Sequence, residues 1–127
     1  MALFHPGRLR ECRGIKPTSN SLVILPHGIG GSGASLAPVA ASWRAAMNGT
    51  VFTSPDAPFA YAVSGHQWFG ADGRELEPDR VAQTRAAFDK VIGHVLHRAD
   101  FENRLNKVAF VGVSQGAITA LDAVGSR

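Results

Sequence analysis

The apolar positions of the chain fall into three short continuous runs and one long periodic one. "SLVILP" (residues 21–26) and "NKVAFVGV" (106–113) are nearly unbroken apolar stretches with β-branched residues, and "TVFTSP" (50–55) is a shorter one. Runs of this length predict buried strands, and an apolar character on both faces suits a parallel strand covered by helices on each side. Over residues 79–99 the pattern changes: Val81, Thr84, Phe88, Val91, Ile92, Val95 and Leu96 recur at i, i+3, i+4 spacing. That spacing predicts an amphipathic helix, with Pro78 suited to its first turn. Two further helices are expected. "ASLAPVAASWRAAMNG" (34–49) stops at Asn48-Gly49, with Pro38 marking its start, and the mostly apolar "QGAITALDAVG" follows the last strand. The order strand, helix, strand, loop, helix, strand, helix predicts an α/β fold with a mostly parallel sheet flanked by helices. The loop over residues 56–78 is long and irregular, a feature that in compact domains often carries function.

Two glycine-rich stretches stand at the ends of predicted strands. "HGIGGSGAS" (27–35) follows the first, and its Gly28, Gly30 and Gly33 satisfy the G-x-G-x-x-G spacing of a dinucleotide cradle. Asp56 lies roughly where such a site needs an acid for the ribose. Against that reading, Pro26-His27 separates the first glycine from the strand, and Asp56 follows a proline instead of ending a strand cleanly. No Gly-Lys-Ser/Thr follows, which excludes a P-loop. "GVSQG" (112–116) is a G-x-S-x-G placed between a buried strand and a helix, where a nucleophile elbow belongs. Small residues on either side let the turn be sharp, and the helix after it directs its positive end at Ser114. By itself the motif fits a helix-capping serine equally well; the strand–turn–helix context favours the nucleophile. A serine hydrolase of this type takes one oxyanion donor from the residue after the nucleophile, here Gln115, and the other from an HG-type loop after an earlier strand. The first glycine stretch supplies such a loop, in which His27 is expected to order the backbone and not to act as base.

Composition narrows the alternatives. With 127 residues, 45% hydrophobic and 18% charged, the chain fits one domain with a real core. Residues 1–20 read as a lead-in segment and 21–127 as the domain. The net charge of +3 owes much to Arg8, Arg10, Arg13 and Lys16 in that lead-in. Nucleic-acid recognition calls for a basic face interleaved with aromatics, so this segment reads as solvated and no nucleic-acid partner is expected. Cys12 is the only cysteine, so neither an intrachain disulfide nor a cysteine metal cluster can form. No apolar run suits a signal peptide or a membrane span, and a cytoplasmic chain is expected. His94 and His97 are three apart on the long helix without a third ligand, His5 lies in the lead-in and His66 in the long loop; no metal site is expected.

"LVILPHGIGGSG", "SPDAPF", "GHQWFG" and "FVGVSQGA", in this order over about residues 20–124, resemble the phospholipase/carboxylesterase family of α/β hydrolases, which includes bacterial carboxylesterases and acyl-protein thioesterases. The resemblance implies an α/β-hydrolase fold and a serine esterase or thioesterase that acts on small-molecule acyl substrates through an acyl-enzyme, without cofactor or metal. It matches Ser114 to the nucleophile, and the main-chain N–H groups of Ile29 and Gln115 to the oxyanion donors. Gly28, Gly30, Gly112 and Gly116 form the two loops. Trp68 and Phe69 match the aromatic pair beside the acyl site, although aromatics in such a loop serve a core equally well. Val113 stands where many relatives carry phenylalanine.

In α/β hydrolases the acid and the histidine follow the nucleophile along the chain. No histidine follows Ser114, and Asp122 lies on the helix just after the elbow, out of reach of a base. The expectation is therefore an N-terminal portion of the fold, inactive or strongly impaired by itself, whose acid and base come from a missing C-terminal part or a second chain; the alternative is a non-catalytic fragment of the same fold that serves binding or assembly. The strand over residues 106–113 would then stand at an unpaired sheet edge.

Overall fold

The computed structural model describes residues 19–126. Strand β1 (Ser21–Ile24) leads through a short 3₁₀ turn (Gly33–Leu36) into α1 (Ala37–Ala46) and then β2 (Thr50–Thr53). A small hairpin of β3 (Phe59–Ala60) and β4 (His66–Gln67) precedes the long helix α2 (Pro78–Ala99). A 3₁₀ turn (Leu105–Lys107), β5 (Val108–Phe110) and α3 (Gln115–Ser126) complete the order.

The main sheet is parallel in the order β2-β1-β5, with Val23 in register with Phe52 on one side and Ala109 on the other. The continuous apolar run of β1 now has its physical account. Leu22 and Ile24 point to one face, where Phe88 and Ile92 of α2 and Ala120 of α3 meet them. Val23 and Leu25 point to the other, against Ala40 of α1 and Phe52 of β2. Each large side chain buried in this way contributes about 2 kcal/mol. The parallel pairing runs past the strand ends: the Leu25 N–H donates to Thr53 O, and the N–H groups of Val111 and Val113 donate to the carbonyls of Ile24 and Pro26.

Two differences from the sequence expectations have clear causes. Pro38 falls inside the first turn of α1 instead of starting it, because the 3₁₀ turn before it brings the chain in. The long loop holds the β3–β4 hairpin, which two-residue strands cannot announce as a periodic pattern. Strand β5 stands at the edge of the sheet, as expected for residues 106–113, and carries an exposed Ala109. Among the described residues no strand pairs its outer edge. An open apolar groove of about 910 Å³ runs between β5, α2 and α3, lined by Ile92, Leu96, Phe110 and Ala117 among others. Leu121 and Val124 are exposed beside it. The lead-in residues Arg8, Arg10, Cys12, Arg13 and Lys16, together with His5, lie outside the described residues.

Before α2, the Arg80 guanidinium donates to both carboxylate oxygens of Asp72 at 3.0 Å, and the Arg74 N–H donates to Asp72 Oδ1. Arg80, and after it the Arg74 amide, hold this carboxyl below its usual value. A depressed folded-state value means that the pair stabilises the fold above the unfolded carboxylate range near 4 and loses that contribution as pH falls. Asp72→Asn is expected to lower the urea midpoint slightly at pH 7 and to leave it closer to wild type at pH 3. Identical deficits at both pH values would contradict the sign.

Candidate functional site

The loops after β1 and β5 emerge side by side. From β1 the chain turns to α1 on one face of the sheet; from β5 it turns to α3 on the other. Their adjacent C-terminal ends form a topological switch point, where open α/β sheets place ligands.

At the end of β5, Ser114 adopts φ 53°, in the left-handed region. A non-glycine residue there costs on the order of 1–2 kcal/mol, and its side chain is left exposed. The strain is imposed by close packing on both sides. A Cβ on Gly112 would lie 2.5 Å from the backbone of Ala117, and one on Gly116 only 2.1 Å from the Pro26 carbonyl oxygen. Both positions therefore demand glycine, and the G-x-S-x-G spacing is a consequence of α3 starting directly against the loop after β1. That loop comes equally close from its own side: a Cβ on Gly28 would stand 3.2 Å from Ser114 Cβ and 3.9 Å from its Oγ.

The peptide units of the glycine loop are almost fully engaged. His27 is buried, its Nε2 accepts from the Ala57 N–H at 2.9 Å, and the remaining ring proton on Nδ1 donates to Gly28 O at 2.7 Å. The Gly31 N–H donates to the same oxygen, the Gly30 N–H to His66 O, and the Gly33 N–H to Asp56 Oδ1 at 2.7 Å. The peptide joining Gly28 to Ile29 is thus held by its carbonyl. In a planar trans peptide the N–H points the opposite way, so His27 fixes the direction of the Ile29 N–H. Among the described residues neither the Ile29 N–H nor the Gln115 N–H has a hydrogen-bond acceptor. Gly30, Gly31 and Gly33 all donate to protein acceptors, so these three N–H groups are not offered to a phosphate. Asp56, considered above for a ribose, instead caps the loop.

The structure places Trp68 in the core, one of the two roles open to an aromatic in its loop. Its indole is 1% exposed, packed edge-on to Phe88 at 5.3 Å and tilted on the His27 ring at 5.7 Å, with Nε1 donating to His27 O. It supports the glycine loop from within the core and lines no open surface. Phe69 is half-buried against the same core. The buried Gln115 side chain joins the two stretches, with Oε1 accepting from the Trp68 N–H at 2.8 Å and Nε2 donating to Phe69 O at 2.7 Å. Sequence reasoning assigned Gln115 only a main-chain role; nothing in a single sequence announces a partner 47 positions away. Leucine here would leave two backbone groups unpaired, at a cost of about 3 kcal/mol. Gln115→Leu is expected to lose that much in chemical denaturation.

Asp122 is held by a two-pronged bond from Arg85, at 3.0 and 2.8 Å. This interaction raises the Arg85 value and ties α3 to α2. His97 meets Glu102 at 3.1 Å on the surface, and His66 Nε2 lies 3.8 Å from Asp56 Oδ2. Among the described residues no group of three or more His, Cys, Asp or Glu side chains could hold a metal, and no helix is long and apolar enough to cross a membrane.

A parallel sheet with helices on both faces, and a strained serine at the switch point between a glycine loop and a helix start, define an α/β-hydrolase architecture. The phospholipase/carboxylesterase family model matches residues 13–126, and the chain belongs to that family. Among solved structures it is similar to esterase PE8, with 29% identity and a TM-score of 0.67 over 82% of this chain. A carboxylesterase from Mesorhizobium loti, at 22% identity and a TM-score of 0.64 over 85% of this chain, shares the fold. The chain spans half the length of each of these esterases. No protein of curated function matches it in sequence.

Proposed function

We propose that this chain carries the nucleophile and the oxyanion-binding groups of a serine carboxylesterase or thioesterase acting on small acyl substrates. The observation that carries the reading is Ser114, held at a left-handed φ with its side chain exposed beside Gly28. Membership of the phospholipase/carboxylesterase family and the likeness to esterase PE8 support it.

In this reading Ser114 Oγ attacks the acyl carbonyl carbon as its proton passes to a histidine. The new bond leaves negative charge on the former carbonyl oxygen, and the N–H groups of Ile29 and Gln115 receive it, aided by the positive end of α3. Collapse breaks the bond to the alcohol or thiol, which departs with the proton; water then releases the acyl group from Ser114. His27 cannot be the base, because both ring nitrogens are engaged. Asp122 cannot be the acid, because Arg85 holds both of its oxygens. We assign the base and its acid to polypeptide equivalent to the half of the esterase chains that this chain does not span.

Fluorophosphonate labelling and turnover of a short-chain p-nitrophenyl ester test this, with the chain alone and mixed with the C-terminal half of esterase PE8. Labelling at Ser114 and turnover that rises steeply on mixing are expected. Failure to label Ser114 in either state would sink the nucleophile, whereas full turnover by the chain alone would sink the assignment of the base to other residues.

A further inference from the structure

We infer that the β3–β4 hairpin is a clamp that sets the oxyanion donor of Ile29, with Gly65 and His66 as its positioning residues. The inference rests on the esterase reading above and adds to it a structural source for the donor's geometry.

The hairpin touches the glycine loop through backbone on both sides. The Gly30 N–H donates to His66 O and the His66 N–H donates to Gly31 O, both at 2.9 Å, so that Gly31 and His66 form an isolated antiparallel bridge. The hairpin is closed on itself by Ala60 in register with His66 and by the Tyr61 N–H donating to Gly65 O. These bonds fix the Ile29–Gly30 and Gly31–Ser32 peptide units, the first and third after the unit that carries the Ile29 N–H, while His27 and the Gly31 N–H hold the carbonyl of the unit that contains it. Asp56 secures the far end of the loop through the Gly33 N–H, and its other oxygen lies 3.8 Å from the His66 ring.

The approach is possible only because residue 65 is glycine. It adopts φ 69°, and a Cβ there would stand 2.3 Å from Gly30 O and 2.6 Å from Gly31 O. An alanine at 65 therefore pushes on the carbonyls of Gly30 and Gly31, one and two residues beyond the donor. Gly73 offers a matched comparison, with φ 87° and nothing within 4 Å of its would-be Cβ. Both substitutions carry the backbone strain of a left-handed residue, and only one of them presses on the loop.

The test uses the wild type, Gly65→Ala and Gly73→Ala in whichever form supports turnover, the chain alone or the chain with the C-terminal half of esterase PE8. Rates are normalised to sites titrated with fluorophosphonate, so that an unfolded fraction does not count. Gly65→Ala is expected to lower kcat about 10²-fold, the loss typical of one oxyanion donor, with KM changed less than about threefold. Gly73→Ala is expected to keep the wild-type kcat. A Gly65→Ala enzyme with the kcat of Gly73→Ala overturns the clamp while leaving the esterase reading intact; absence of any Ser114-dependent turnover in the wild type removes that reading and the clamp with it. Should Gly65→Ala not fold, amide hydrogen exchange in the wild type decides. Gly30 and His66 are expected to be protected and Ile29 to exchange fast; Gly30 and His66 exchanging as fast as Ile29 overturns the proposal.

Discussion

Gly116→Ala is expected to cost more than about 3 kcal/mol, a large share of the stability of a small domain. By helix propensity alone the change favours α3 by about 1 kcal/mol. Tertiary contact reverses the sign, because the new Cβ would fall 2.1 Å from Pro26 O, 2.5 Å from Pro26 C and 2.7 Å from His27 O. All three are backbone atoms of the segment that continues β1, and Pro26 O is itself bonded to the Val113 N–H. No side-chain rotation relieves the overlap; either α3 or the glycine loop must move. Gly93→Ala supplies the contrast. It lies within α2 with nothing near its would-be Cβ, and is expected to gain about 1 kcal/mol. Urea denaturation of the two variants beside wild type checks both signs, and a Gly116→Ala protein as stable as wild type would refute the packing account.

With the C-terminal half of esterase PE8 present, Ser114→Gly is expected to abolish turnover, by about 10⁶-fold where the nucleophile of a serine hydrolase is removed, and yet to exceed Ser114→Ala in stability by about 1 kcal/mol. The serine hydroxyl forms no hydrogen bond among the described residues, so its loss breaks nothing. Alanine keeps the penalty of φ 53°, and glycine relieves it. Strain stored at a residue and released by a substitution that destroys function marks a position held for its chemistry. The measurements are the thermal midpoints of both variants and their ester turnover beside wild type. Equal midpoints for glycine and alanine would mean that the left-handed backbone carries no cost here, and retained turnover would remove Ser114 as nucleophile.

The two glycine motifs and the elements around them were legible because each rests on a local rule. The uniform apolar run of β1 demands cover on both faces, and α1 on one side with α2 and α3 on the other supply it. The periodic face of α2 appears with Phe88 and Ile92 buried, as the spacing requires. Less could be read between residues 56 and 78. The β3–β4 hairpin has two residues per strand, too few for alternation to show. The bonds that hold it to the glycine loop are main-chain bonds, which any residue type can make. The closeness of Gly65 to Gly30 O leaves no mark on the sequence. Trp68 posed the same difficulty: an aromatic in a glycine-flanked loop suits a substrate wall or a core. Phe88 and His27, brought from distant parts of the chain, put it in the core.

By itself, the sequence determined the succession of strands and helices, the parallel character of the sheet, and the two places where glycine and serine interrupt it. Those follow from hydrophobic periodicity and from the conformations that glycine permits, which are properties of neighbouring residues. Only the tertiary structure decided that Gly28 meets Ser114, that Gln115 ties down Trp68 and Phe69, and that Arg85 occupies Asp122. These are contacts between residues far apart in the chain, set by how the sheet order β2-β1-β5 folds the loops together.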